Sequence, residues 1–149
     1  PKRRRLSKEM IIAKELSVPE IVALKNGEDV VREDKSTISA AATTLEPSPS
    51  RMYAYCSDTA YLEKIVPIIE GATLLYHEAT FLESHAERAK KTFHSTAKQA
   101  AKIAKMANAK KLVLGHYSSR YRDISDFKTE AVEVFENVYL AHDGITFEL

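Results

Sequence analysis

Three short apolar runs in this chain end in groups able to do chemistry. Tyr53-Ala54-Tyr55-Cys56 is followed by Ser57-Asp58-Thr59, Leu74-Leu75-Tyr76 by His77-Glu78-Ala79-Thr80, and Leu112-Val113-Leu114-Gly115 by His116-Tyr117-Ser118-Ser119-Arg120. In open α/β sheets the reacting groups collect beyond the carboxyl ends of the strands, so the residues after each run matter most. A carboxylate and an imidazole at neighbouring strand ends are donors that zinc or manganese accepts, and an Asp can bridge two ions. Asp58 and His116 are therefore candidate metal ligands. Each group also has a plain structural reading: Asp58 as the cap of a helix starting near Ala60, and His77-Glu78 as a pair bonded to the next loop. His94-Ser95-Thr96 sits just before a helix start, where the imidazolium is disfavoured and nearby donors are oriented. That suits a general acid or a phosphate contact, or simply a residue preceding a cap. His85, in a charged helical stretch, reads as a solvated residue, and His142-Asp143-Gly144 reads as a hairpin turn.

The elements that must position these groups follow from periodicity. Beyond residue 50, short apolar runs alternate with amphipathic segments, the pattern of an α/β layer arrangement. Strands are predicted over 52–56, 73–76, 111–115, 138–141 and 145–148, and helices over 60–69, 81–91, 95–108 and 126–135. The third helix is the clearest, with Ala97, Ala100, Ala101, Ala104 and Ala107 on one face and Lys98, Lys102 and Lys105 on the other. Thr96 and Gln99 have the spacing of a capping box at its start. Before residue 50, Ser7 and Ser17-Val18-Pro19-Glu20 predict the starts of two short helices. Residues 36–50 then read as a strand at most and an irregular connector. The basic run of residues 1–5, Pro-Lys-Arg-Arg-Arg, reads as a solvated, poorly ordered terminus or as a phosphate contact.

With 149 residues, 44% apolar and 29% charged, the chain has the size and composition of one globular domain. No apolar run approaches the ~20 residues of a membrane helix. The net charge of +1 gives no global attraction to nucleic acid, so any polyanion must be held by a local patch. Cys56 is the only cysteine, which rules out an internal disulfide and makes a reducing cytoplasm the expected compartment. Gly27, Gly71, Gly115 and Gly144 lie too far apart to build a phosphate-cradling glycine loop.

Taken together and in order, Ser57-Asp58-Thr59, His77-Glu78-Ala79-Thr80, His94-Ser95-Thr96 and His116-Tyr117-Ser118-Ser119-Arg120-Tyr121 resemble the C-terminal half of ribonuclease Z, the tRNA 3′-processing endoribonuclease family of the metallo-β-lactamase superfamily. The resemblance implies the C-terminal half of an αββα sandwich: one mixed sheet with helices on one face, spanning residues 51–149. Residues 1–50 would follow the arm with which the family grips tRNA. It implies two zinc ions per complete site, bridged by Asp58 and ligated by His116, with Glu78 and His94 cooperating in proton donation to the leaving oxygen. Ser118, Ser119 and Arg120 would lie near the scissile phosphate or support the loop of His116. The reaction implied is hydroxide attack on the phosphodiester of precursor tRNA, in a cytoplasmic enzyme that dimerises when intact and has no membrane segment.

One departure from the family is large. The His-x-His-x-Asp-His motif, which supplies most metal ligands, is absent from the sequence, and the chain opens at Pro1 without an initiator methionine. The chain is therefore expected to be a fragment, inactive alone, with the sheet face away from its helices apolar and exposed. Two alternatives stay open: a related metallo-phosphodiesterase or arylsulfatase-like hydrolase, and a noncatalytic RNA-binding module using Arg3, Arg4, Arg5 and the lysine face of the third helix.

Overall fold

The computed structural model describes residues 2–148, which divide into two compact units meeting between Ser50 and Arg51.

In the first unit, α1 (Lys8–Ala13) starts at Ser7, whose hydroxyl accepts the Met10 N–H at 3.1 Å. Helix α2 (Val18–Asn26) starts at Ser17, whose N–H donates to the Glu20 carboxylate at 2.7 Å, and has Pro19 in its first turn. It ends at Gly27, whose φ of +91° is the left-handed conformation that closes many helices. Strands β1 (Val30–Val31) and β2 (Thr37–Ile38) pair antiparallel, and α3 (Ala40–Thr43) occupies part of the stretch expected to be irregular. Leu16, Leu24, Ile38 and Ala40 form a small core. The basic run is tied down rather than loose. Arg5 exchanges two backbone hydrogen bonds with Leu45, at 2.9 and 2.8 Å, and Arg4 pairs with Glu46.

The second unit is built on four strands, β3 (Tyr53–Cys56), β4 (Leu74–Glu78), β5 (Leu112–Gly115) and β6 (Val138–Leu140), side by side in that order. The sheet is parallel throughout, not mixed as expected. Each strand is joined to the next by a helical crossover, the connection that parallel neighbours require. A 3₁₀ turn (Glu63–Ile65) and α4 (Val66–Ile69) link β3 to β4. A second 3₁₀ turn (Glu83–His85) with α5 (Ala86–Lys91) and α6 (Ala97–Met106) links β4 to β5, and α7 (Ser125–Val132) links β5 to β6. The strand expected over 145–148 would have been the odd one out. It has no ladder partner among the described residues; instead the Ile145 N–H closes a turn onto the His142 carbonyl, so His142-Asp143-Gly144 is a turn but not a hairpin.

Helix α6 packs against the sheet through Ala97, Ala100, Ala101, Ala104 and Ile103, all fully buried. Its alanines let the helix backbone approach the strands closely, and Leu75, Leu112, Leu114, Phe127 and Val138 complete the core. On the opposite face, Tyr53 is 52% and Tyr55 63% exposed. Tyr55 stacks on Tyr76 with ring centroids 4.7 Å apart. The helices thus occupy one face, as expected, and the other, expected to be apolar and exposed, carries exposed tyrosines while its Leu74 and Val113 are buried.

Candidate metal and catalytic site

Strand β4 runs two residues further than its apolar pattern suggests, because His77 and Glu78 continue its register with Leu114 and Gly115 of β5. Both side chains are fully buried. Glu78 can be buried because nearly every lone pair finds a donor. Its Oε1 accepts from the Thr59 N–H at 2.8 Å and from His94 Nδ1 at 2.8 Å. Its Oε2 accepts from the Thr80 hydroxyl at 2.7 Å and from the Ser95 N–H at 3.1 Å. Burial alone would raise the carboxyl pKa, but the hydrogen bonds from His94, Thr80, Ser95 and Thr59 outweigh it and hold Glu78 below the ordinary carboxylate value. Glu78 is therefore an anion that fastens three separate loops together.

The ionised Glu78 fixes the protons around it. A carboxylate only accepts, so the Thr80 hydroxyl donates to Glu78 and must accept from His116 Nδ1, 2.9 Å away. His116 then carries a proton on Nδ1 and points Nε2 outward, 3.2 Å from Asp58 Oδ1. His94 likewise donates Nδ1–H to Glu78 and leaves Nε2 free. The two imidazoles lie with ring centroids 5.3 Å apart. One ligand atom from each of Asp58, His94 and His116 falls within a cluster no wider than 4.8 Å. Asp58 does not cap the following helix, which starts only at Glu63, and its side chain stays exposed.

Two of these three residues sit on unfavourable backbone. Asp58 has φ +49° and His116 φ +60°, conformations that side chains beyond glycine adopt rarely and at a cost of order 1 kcal/mol. The residue before His116 is a glycine in close contact with Tyr76. A Cβ on Gly115 would overlap the Tyr76 hydroxyl and ring, so a side chain there would push Tyr76 from its place across the end of β5. Capping of α6 holds His94 from the other side: Thr96 and Gln99 form the expected box, at 3.0 and 3.1 Å.

Ser118, Ser119 and Arg120 lie in the loop that carries His116 but outside the ligand cluster. The Ser118 N–H donates to the Thr80 carbonyl at 3.1 Å, and Arg120 bonds Ser118 Oγ at 3.3 Å while its guanidinium lies 5.2 Å from the centre of the Phe81 ring. Ser119 and Arg120 remain exposed. His85 is not a solvated helix residue. It is half-buried, stacks on Phe81 and lies 3.2 Å from the Tyr121 hydroxyl, which also accepts the Leu82 N–H. Sequence reasoning missed Thr80, Thr59 and Ser95 as parts of the network. Thr80 alone had a local signal, standing two residues beyond Glu78 at the strand end. His77 faces away from the cluster; its Nδ1–H donates to its neighbour's carbonyl at 2.7 Å, its Nε2 has no partner among the described residues, and burial pushes its pKa down.

Comparison with known proteins agrees with this geometry. Residues 9–117 match the family model described as a beta-lactamase superfamily domain, more than half of the chain. Ribonuclease Z of Cytophaga hutchinsonii is 47% identical over 148 residues, which are 99% of this chain and 47% of that protein. The chain thus spans about half the length of the curated relatives it matches. Among solved structures, the metallo-beta-lactamase fold protein YhfI from Bacillus subtilis superposes with a TM-score of 0.62 at 29% identity, over 66% of this chain and 40% of that one. A long form RNase Z from yeast gives a TM-score of 0.55 at 31% identity, over 61% of this chain and 12% of the other. The four motifs, the parallel sheet with its ligand cluster and the family match converge: this chain belongs to the beta-lactamase superfamily and has the metallo-β-lactamase fold, with ribonuclease Z proteins among its relatives.

Proposed function

We propose that this chain supplies part of the metal site, and the proton-donating pair, of a zinc-dependent endoribonuclease that removes 3′ trailers from precursor tRNA. The observation that carries this reading is the convergence of Asp58, His94 and His116 within 4.8 Å, with the Glu78 carboxylate directly behind His94. One carboxylate and two imidazole nitrogens are a donor set that suits zinc, and both rings have Nδ1–H anchored, the arrangement that orients metal-binding histidines. Asp58 and His116 are assigned as ligands. Zinc, when bound, polarises the phosphodiester and lowers the pKa of water.

The remaining roles belong to the chain's own groups. Glu78 holds the His94 ring through its Nδ1–H and so aims Nε2 at the site, from which a proton can be handed to the leaving 3′ oxygen. Ser118, Ser119 and Arg120, exposed beside His116, offer hydroxyl and guanidinium donors to the scissile phosphate. Three ligands cannot complete a two-zinc site, and the sequence lacks His-x-His-x-Asp-His. Other ligands must come from a further polypeptide segment, and the chain alone is inactive. A cytoplasmic, homodimeric intact enzyme acting on precursor tRNA goes with the same reading. No helix among the described residues is long and apolar enough to cross a membrane.

A second assignment, His94 as a third ligand, is favoured by its free Nε2 within the cluster. One experiment addresses both. The chain is mixed with a polypeptide carrying His-x-His-x-Asp-His, and zinc content and cleavage of a 3′-extended tRNA are measured. Asp58→Ala and His116→Ala should each lose zinc and cleavage. His94→Ala should keep zinc and lose cleavage, whereas loss of zinc with His94→Ala would make it a ligand. Recovery of neither zinc nor cleavage with the unsubstituted chain would sink the enzyme reading.

A further inference from the structure

Helix α5 ends in a cluster of positive charge, Arg88, Lys90 and Lys91, all exposed. Two residues on comes Phe93, 74% exposed and held at φ +59°. His94 follows directly. The backbone here closes α5 in a left-handed cap, with the His94 N–H on the Ala89 carbonyl at 2.9 Å, but such a cap is normally glycine or asparagine and nothing in it calls for a large apolar ring left in water. Beside this turn lies a cleft of ≈ 250 Å³ lined by Tyr61, Lys90, Glu87, Gln99 and His94. Its walls offer an aromatic ring, a cation, a carboxylate acceptor and an amide. Gln99 uses its carbonyl oxygen on the Thr96 N–H, so its amide N–H groups stay available.

This combination fits one class of ligand. Single-stranded nucleic acid is gripped by cations along its phosphates and by aromatic side chains on which bases stack, whereas base edges are read by carboxylates and amides. We infer that the Arg88–His94 segment and its cleft form a single-stranded RNA subsite, in which Phe93 stacks on a nucleobase and Lys90 and Lys91 hold the adjoining phosphates. The inference rests on the RNA-cleaving reading above and deepens it, since it places a nucleotide next to the group assigned to donate the proton. The formal charge of the whole chain is only +1, so any attraction must come from local patches such as this one.

The test is a titration of the chain with a short single-stranded RNA carrying the fluorescent base 2-aminopurine, with parallel thermal melts. Stacking on Phe93 should quench the fluorescence. Phe93→Leu should weaken binding about tenfold and abolish the quenching, the loss expected for one base–aromatic stack. Phe93→Trp should preserve both. Phe93→Gly should lower affinity while leaving the melting temperature unchanged or raised, because glycine relieves the positive φ. Lys90→Ala and Lys91→Ala should each reduce the slope of log affinity against log salt by about 0.7. Equal affinity for Phe93→Leu and the unsubstituted chain would overturn the subsite. If that result comes with recovered tRNA cleavage in the complementation experiment, the subsite fails and the enzyme reading stands. Absence of RNA binding together with absence of cleavage overturns both.

Discussion

Replacing Glu78 with Gln tests the claim that one buried anion holds the candidate site together. The substitution keeps the shape and removes the charge. Two donors converge on each carboxylate oxygen, Thr59 N–H and His94 on one, the Thr80 hydroxyl and Ser95 N–H on the other. An amide can satisfy only one side as an acceptor. If its NH₂ faces His94, the imidazole can switch tautomer and accept, but the Thr59 N–H is orphaned. If it faces Thr80, the hydroxyl can turn, but the Ser95 N–H is orphaned. Either way one buried backbone donor loses its partner, at about 1–3 kcal/mol, and the remaining bonds lose their charge assistance. The expected destabilisation is roughly 2–4 kcal/mol, a large part of the 5–15 kcal/mol that typically holds a domain. For a unit of this size that lowers the melting temperature by about 10–20 °C. Thermal unfolding of the chain at neutral pH, followed by circular dichroism and calorimetry, reads this directly. Glu78→Ala, which orphans donors on both sides, should be worse than Glu78→Gln. A Glu78→Gln melt within about 2 °C of the unsubstituted chain would refute the idea that the carboxylate is the structural anchor of the site.

Three further outcomes are expected. Gly115→Ala should destabilise by about 1–3 kcal/mol through overlap with Tyr76, and Tyr76→Val in the same chain should recover most of that loss in a double-mutant cycle. Thr80→Val removes the acceptor of His116 Nδ1–H, so cobalt titrated in zinc's place, monitored by its visible spectrum, should bind about 10–100-fold more weakly. In the first unit, the Arg32 guanidinium beside Glu20, helped by Ser17, lowers the carboxyl from 4.5 to about 2. A depressed carboxylate pKa stabilises the fold above the unfolded value, and that contribution is lost as pH falls through the folded one. Acid titration should therefore weaken this unit between pH 4.5 and about 2, and Arg32→Ala should lower the melting temperature at neutral pH and flatten its fall across that window, as read by the melting temperature at each pH.

Features encoded by near neighbours in the chain were legible before the fold was known. Thr96 and Gln99 sit three apart because a capping box needs that spacing, and the alanine stripe of α6 follows the turn of a helix. Other features were hidden because they depend on residues distant in sequence. His77 and Glu78 looked like the residues after a strand, since polar groups normally end an apolar run. They remain inside β4 because Glu78 collects donors from residues 59, 94 and 95. Ile145 and Phe147 alternate like a strand, yet no neighbouring strand offers them a ladder among the described residues. Phe147 instead packs its ring against Tyr139. A helical wheel placed His85 in solvent because it could not register Tyr121, far along the chain. Asp58, His94 and His116 were each recognisable singly. Their convergence needed the parallel order of β3, β4 and β5, which sets the loops after all three strands at one edge of the sheet.

That order carries a topological consequence. Parallel crossovers have one hand, and here every step from β3 to β6 moves to the adjacent strand in the same direction. Steps of one hand in one direction wind all the connecting helices onto a single side. Nothing between Tyr53 and Leu140 can therefore loop back over the tyrosine side without reversing the winding. Cover for Tyr53, Tyr55 and Tyr139 has to arrive from chain outside that stretch or from another molecule. Ile145 and Phe147, just past β6, line a cleft with Tyr53, Leu74, Tyr76 and Val113 and begin that closure at one margin only.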